Sequence, residues 1–218
     1  MKTKNITDIR DIRVDVPEGQ SGDWKIEKLT VSKKDADFHN LRASISFSGG
    51  GRTIDSGEYT RLIRGRTTVM SDTPVEIRDL RYFVYKATGH VLINGLGLGW
   101  IVEALFQKKE VKTITVIEKS KDVINLVKQH YYDKCPKDKY FIIVHADAFE
   151  YKPQKGQRYG AVWHDIWDNI CGDNLDDMKK LHRKYGRHAD WQGSWCRYEC
   201  EQAIKRGNNK NTKRMILK

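Results

Sequence analysis

The apolar positions of this chain change their period near residue 72. Before that point they alternate with polar ones, as in half-buried strands, at Trp24-Lys25-Ile26-Glu27-Lys28-Leu29-Thr30-Val31 and at Arg42-Ala43-Ser44-Ile45-Ser46-Phe47, with a Gly49-Gly50-Gly51 turn after the second. Tyr59-Thr60-Arg61-Leu62-Ile63-Arg64 and Thr67-Thr68-Val69-Met70 read as a hairpin about Gly65. Thr73-Pro74-Val75-Glu76 then has the form of a capping box with proline at the first helical position, which predicts a helix running towards Gly89. Beyond it, short continuous apolar runs alternate with helical stripes. His90 to Asn94, Thr113 to Ile117, Tyr140 to Ala146 and Tyr159 to His164 are the runs. Between and after them, Ile101 to Phe106, then Val123, Ile124, Val127 and Tyr131, then Leu175, Met178, Leu181 and Tyr185 recur at helical spacing. Buried strands alternating with helices predict an α/β fold with a parallel sheet.

The first of these strands runs directly into Asn94-Gly95-Leu96-Gly97-Leu98-Gly99-Trp100. Glycines at alternate positions let the backbone turn tightly and approach a ligand with no Cβ in the way, although such turns also occur in ordinary loops. Spacing adds to the pattern. The second strand ends on Glu118, about 20 positions past the glycines, where a carboxylate can accept both hydroxyls of an adenosine ribose. The third strand runs into Asp147-Ala148 and the fourth into Asp165. Any one strand-end aspartate is explained as a cap of the following turn, but three successive strands ending on carboxylates line one crevice of a parallel sheet.

The ordered set Val91-Leu92-Ile93-Asn94-Gly95-Leu96-Gly97-Leu98-Gly99, Val116-Ile117-Glu118-Lys119-Ser120-Lys121-Asp122-Val123-Ile124, Asp147-Ala148 and Asp165-Ile166-Trp167-Asp168 resembles the class I S-adenosylmethionine-dependent methyltransferase superfamily, and within it the spermidine synthase branch. The resemblance spans roughly residues 70 to 185 and implies a Rossmann-like sheet with helices on both faces. It implies S-adenosylmethionine as cofactor, with Asn94, Gly95, Leu96, Gly97 and Gly99 about its methionine part and ribose. Glu118, with Lys119 beside it, would bind the ribose hydroxyls; Asp147 and the Ala148 backbone would receive the adenine, and Asp165 would sit by the sulfonium. For a methyl acceptor that must lose a proton, Asp165 is the first candidate base, followed by His164 and Asp168, while Trp163 and Trp167 are candidate pocket walls. His164, adjacent to Asp165 on a strand, is expected to face the other side.

Aminopropyl transfer from decarboxylated S-adenosylmethionine is the alternative, with Asp165 and Asp168 holding a cationic polyamine. The branch's Tyr-His-Glu element is absent from Asp72-Thr73-Pro74-Val75-Glu76-Ile77-Arg78, and no proline follows Trp167 in the manner of its catalytic segment. A third reading is a non-catalytic module that binds a partner through Trp191-Gln192-Gly193-Ser194-Trp195-Cys196-Arg197-Tyr198, a segment also explained as docking onto the body of the protein.

Composition narrows the class. At 218 residues with 39% hydrophobic content, the chain can bury one substantial core. Domain boundaries are expected at 1–71 for the β-rich extension, 72–190 for the Rossmann-like core and 191–218 for a basic carboxyl-terminal segment. After Tyr185 little chain remains for the three further strands and a helix of a full methyltransferase sheet, so the sheet is expected to be cut short, or completed by the amino-terminal strands or a second subunit. The amino terminus has no apolar run of a secretory signal, and no apolar stretch approaches the roughly 18–20 residues of a membrane span, so a cytoplasmic protein is expected. Cys135, Cys171, Cys196 and Cys200 form no Cys-x-x-Cys pair; Cys196 and Cys200 with His182 or His188 could be drawn as zinc ligands, but reduced, packed thiols are the expectation, and no metal is assigned. The net charge is +11, and from Lys179 onward twelve Lys or Arg face only Asp190, Glu199 and Glu201. The acid-free run Lys205 to Arg214 could track nucleic-acid phosphates or be a solvated terminus.

Overall fold

A computed structural model describes residues 12–45 and 53–205. Its elements are β1 (Gly19–Ser21), β2 (Trp24–Val31), α1 (Lys33–Ile45), β3 (Gly57–Arg64), β4 (Thr67–Ser71), α2 (Pro74–Lys86), β5 (Gly89–Asn94), α3 (Trp100–Phe106), β6 (Val111–Glu118), α4 (Lys121–Lys134), β7 (Tyr140–His145), β8 (Ala161–His164), α5 (Asn174–Tyr185), β9 (Gln192–Ser194) and α6 (Arg197–Lys205). They form two sheets. β1-β2-β3-β4 is antiparallel, and β7-β6-β5-β8-β9 is parallel throughout. The order of the parallel sheet reverses between β5 and β8, which opens a crevice at their carboxyl ends, the usual ligand position in such sheets.

Strand alternation builds a core on each face of the parallel sheet. Val91 and Ile93 of β5, Ile114 and Val116 of β6 and Trp163 of β8 pack with Leu80, Phe83, Leu105, Val127 and Tyr131 from α2, α3 and α4. Leu92, Ile117 and Val162 point the other way, onto Leu181 and Tyr185 of α5. The architecture is therefore the expected Rossmann-like α/β sheet with helices on both faces and an antiparallel extension before it. Of the three further strands a full sheet would need, one is present among the described residues, β9, added beside β8 from residues 192–194. The amino-terminal strands do not complete this sheet; they pair among themselves.

Local chemistry explains where the elements begin. Ser120 caps α4 by accepting the Val123 N–H at 3.3 Å. Thr73 precedes Pro74 at the start of α2, but the capping box is not formed: the Thr73 side chain makes no cap bond, and Glu76 reaches further back, accepting from the Ser71 N–H at 2.8 Å and its hydroxyl at 3.0 Å. Buried Asp72 joins three segments by accepting the Val14 N–H at 3.0 Å and the Thr60 N–H at 2.6 Å.

The strand expected at residues 42–47 is a correction. Residues up to Ile45 belong to helix α1, which Ser32 opens by accepting the Asp35 N–H at 3.2 Å. Residues 33–45 hold no Gly or Pro to break a helix, and among residues 33–44 only Ala36 is buried, so the alternation there reflects no sheet face. Ser46, Phe47 and the Gly49–Gly51 turn lie outside the described residues, as does the run after Lys205. Among the described residues no helix is long and apolar enough to cross a membrane.

Candidate functional site

A cavity of about 510 Å³ opens at the carboxyl ends of β5, β6, β7 and β8, within the range of about 300–1,000 Å³ typical of small-molecule sites. Gly95, Leu96, Gly97, Glu118, Lys119, Asp147, Ala148, Asp165 and Asp168 all line it. The turn after β5 needs its glycines. Gly95 has φ 100° and a Cβ there would lie 1.9 Å from the Asp165 carbonyl oxygen; Gly97 has φ 52° and its missing Cβ makes room for the Met70 sulfur, 2.5 Å from where a Cβ would stand. The Leu98 N–H points to the same sulfur at 3.4 Å.

Glu118 is tied to this turn. One carboxylate oxygen accepts the Leu96 N–H at 2.8 Å and the other the Ser120 N–H at 2.6 Å. Burial pushes its pKa up, opposed by those backbone donors. Each oxygen keeps a lone pair for a ligand hydroxyl. Asp147 accepts from Lys119 Nζ at 2.8 Å and from the Phe149 N–H at 2.7 Å, and the lysine holds its pKa down. Lys184 fixes the same turn by donating to the Ala148 and Phe149 carbonyls.

Asp165 follows β8 and lines the same cavity, its carbonyl close against Gly95. Its pKa is pushed up to about 7, first by burial, then by Glu76, with Asp79 adding; the indole N–H of Trp163, which makes no well-aligned hydrogen bond, offsets part of this. Asp168 is bound to Arg64 of β3, whose guanidinium also lies over the Trp24 ring at 5.3 Å.

Four residues expected at the site, His164, Asn94, Gly99 and Trp163, do not line the cavity. His164 is buried on the α5 face with Leu92 and Val162: Asn94 Nδ2 donates to His164 Nδ1 at 2.8 Å, and the His182 and Tyr185 rings lie 5.2 and 5.4 Å away. Burial, reinforced by His182, lowers its pKa to about 3, so it is neutral and structural rather than a base. Asn94 is spent on that bond. Gly99 begins α3 with its missing Cβ against the Tyr131 ring, 2.2 Å from Cε2, and its role is packing. Trp163 stacks between Phe83 and Trp191, centroids 5.2 and 6.4 Å away, while Trp167 does line the cavity.

Residues that sequence reasoning missed come from the antiparallel sheet and α2. Trp24, Leu62, Arg64, Val69 and Met70 line the cavity from the antiparallel sheet, with Glu76 and Leu80 from α2, and Trp195. Glu76 was visible only as a helix-start residue, and nothing in the strand alternation marked Arg64 or Met70 as facing a ligand. The lining carries six carboxyl side chains against Arg64 and Lys119, an acidic hollow in a chain of net charge +11.

No zinc grouping forms at the cysteines. Cys196 donates to Asp79 at 3.4 Å, Cys200 packs with Leu175 and Met178, His182 bonds Ser194 and His188 bonds the Gln157 carbonyl. Among the described residues the one grouping with ligand spacing is Asp15, Glu103 and His130, and there Lys134 already bridges Asp15 at 2.6 Å and Glu103 at 3.0 Å.

No protein-family model and no curated protein matches the chain. Among solved structures it is similar to the CcbJ methyltransferase from Streptomyces caelestis, with 16% identity, 52% of this chain and 43% of that chain covered and a TM-score of 0.39. A second is an S-adenosylmethionine-dependent methyltransferase from Clostridium acetobutylicum, with 15% identity, 52% and 43% covered and a TM-score of 0.38. A third is coclaurine N-methyltransferase bound to N-methylheliamine and S-adenosylhomocysteine, with 15% identity, 54% and 34% covered and a TM-score of 0.39. The matched part thus spans less than half the length of each of these proteins.

Proposed function

We propose that the cavity binds S-adenosylmethionine and that the protein is a methyltransferase. The observation that carries this reading is the delivery, by the parallel strands β5, β6, β7 and β8, of the Gly95–Gly97 turn, Glu118, Asp147 and Asp165 to one cavity. The donor set fits the group: a carboxylate with spare lone pairs for ribose hydroxyls, apolar Ile117, Val123 and Ala148 for an adenine ring, and an excess of carboxyls for a cation. When bound, the cofactor supplies a methyl group on a sulfonium, and its in-line transfer leaves a neutral thioether.

The chain's own residues supply alignment and a proton acceptor. Glu118 would fix the ribose while its backbone bonds hold it to the glycine turn. Asp147 would accept the adenine amino group, sharing its oxygens with Lys119; that pair is exposed on the lysine side, so solvent screening makes it easy to rearrange. Asp165, with its pKa near neutrality, would take the proton that an amine or hydroxyl acceptor loses. The Arg64 and Asp168 pair, with Trp24 and Met70, would shield the site from water.

Calorimetric titration with S-adenosylmethionine, S-adenosylhomocysteine and decarboxylated S-adenosylmethionine tests the reading. Tighter binding of the first two is expected, and Glu118→Ala should weaken it by about 10- to 100-fold, as loss of hydrogen bonds to a charged group implies. Preference for the decarboxylated form would move the assignment to aminopropyl transfer, and binding of none would refute both.

A further inference from the structure

Helix α2 has two working sides. Its inner side carries Glu76 and Leu80 into the cavity wall and Ile77, Phe83 and Val84 into the core. Its outer side presents Arg78, Arg81, Tyr82 and Tyr85, all exposed and spaced three or four residues apart along one stripe. Tyr82 and Tyr85 are 60% and 73% exposed although aromatic rings normally bury most of their area. They are not scattered. Their rings stack at 6.4 Å and 25°, and Lys86 Nζ lies 5.4 and 5.7 Å from the two centroids. Tyr82 is braced from behind by Trp191, edge-on at 5.8 Å, which itself stacks on Trp163.

The exposed charges on the stripe itself, Arg78, Arg81 and Lys86, are all positive. Arg81 has no ion-pair partner among the described residues, and Lys108 sits at the end of the stripe, donating to the Val84 and Tyr85 carbonyls at 2.8 and 2.7 Å. Of the acids near the stripe, Asp79 is largely buried, meeting Arg78 at 3.7 Å and the Cys196 thiol, and Glu110 lies beyond the end of the helix near Lys108. Flat exposed rings interleaved with cations, on a protein of net charge +11, complement a polyanion made of flat units. In a duplex those flat faces are already stacked on one another, so the complement is a single strand.

We infer that the outer face of α2 binds single-stranded nucleic acid, with bases stacked on Tyr82 and Tyr85 and phosphates against Arg78, Arg81 and Lys86. A strand held there lies about one helix diameter, roughly 10–12 Å, from the cavity on the inner side. Binding at this face is independent of the cofactor reading, and its test uses no cofactor, so either can fail without the other.

The experiment is fluorescence anisotropy of the full chain with labelled single strands of about 12 nucleotides, DNA and RNA, at two salt concentrations. Tyr82→Ala combined with Tyr85→Ala is expected to raise Kd by about tenfold or more, whereas Phe at both positions keeps the ring faces and leaves Kd within about twofold. Arg81→Gln should lower the slope of log K against log salt by about one. A duplex of the same length should compete more weakly than the single strand. The inference is overturned if no single strand binds, if the alanine pair binds like wild type, which would place binding elsewhere on the basic chain, or if the face captures a protein partner while oligonucleotides do not compete. Both tyrosines are solvent-exposed, so thermal melting of the variants checks that the fold is kept.

Discussion

Asp165→Asn should separate the cost of the candidate site from its use. The carboxyl of Asp165 is pushed from the ordinary 3.8 to about 7 by burial and by Glu76 and Asp79. A raised carboxyl pKa means the folded state holds the proton more tightly than the unfolded chain, so the sign of the linkage is a penalty on folding at higher pH. Below about pH 4 both states are protonated and the penalty is absent; it grows as pH rises through the interval to about 7 and is constant above that. At about 1.36 kcal/mol per tenfold in proton affinity, the full penalty is on the order of 4 kcal/mol. Asparagine keeps the shape and never ionises. The variant should therefore match wild type within about 1 kcal/mol near pH 4 and exceed it by up to about 4 kcal/mol at pH 8. Urea unfolding of both proteins at several pH values measures this difference directly. His164, whose own pKa is lowered to about 3, penalises both proteins alike as pH falls below 6.5 and cancels from the comparison. A stability difference that is flat in pH would refute the argument that Asp165 is held protonatable by its surroundings. If Asp165 is also the base, the same variant loses about 10²- to 10⁴-fold in transfer rate while gaining stability, and wild-type turnover rises through pH 7 with one ionisation.

Two further changes probe the frame of the cavity. Gly95→Ala places a Cβ 1.9 Å from the Asp165 carbonyl at φ 100°, where neither backbone can move cheaply; thermal melting should show a loss of more than about 2 kcal/mol, and a near-neutral result would mean the β5 turn is not as close to β8 as described. Arg64→Ala breaks the pair with Asp168, but with half of the arginine and a third of the aspartate side chain exposed the change in unfolding free energy should stay below about 1 kcal/mol. A larger loss would show that this contact, and not the apolar packing of Leu62 and Met70, anchors the antiparallel sheet over the site.

The residue pattern alone determined the elements whose signals are local. Largely apolar runs at 91–93, 114–117 and 161–163 identified strands with both faces covered, the stripe Val123, Ile124, Val127 and Tyr131 identified α4, and Ser120 marked its start. The period of these strands also placed His164 and Asp165 on opposite sides, because neighbouring strand residues alternate. Since parallel strands all end at one edge of the sheet, Glu118, Asp147 and Asp165 reach that edge, and the strand order β7-β6-β5-β8 brings them to one crevice.

What needed the tertiary structure was everything decided by a distant partner. Asn94 and His164 look like site residues until their hydrogen bond and the Tyr185 ring show them spent on the α5 face. The strand β9 is only three residues long and is recruited by pairing with β8, not by any propensity of its own. The other wall of the cavity, Trp24, Arg64 and Met70, comes from strands whose alternation fixes which residues share a face but not what that face meets. Periodicity records burial along the chain; the identity of the burying partner is set by packing between segments far apart in sequence, and that packing brings Arg64 to Asp168 and Met70 onto Gly97.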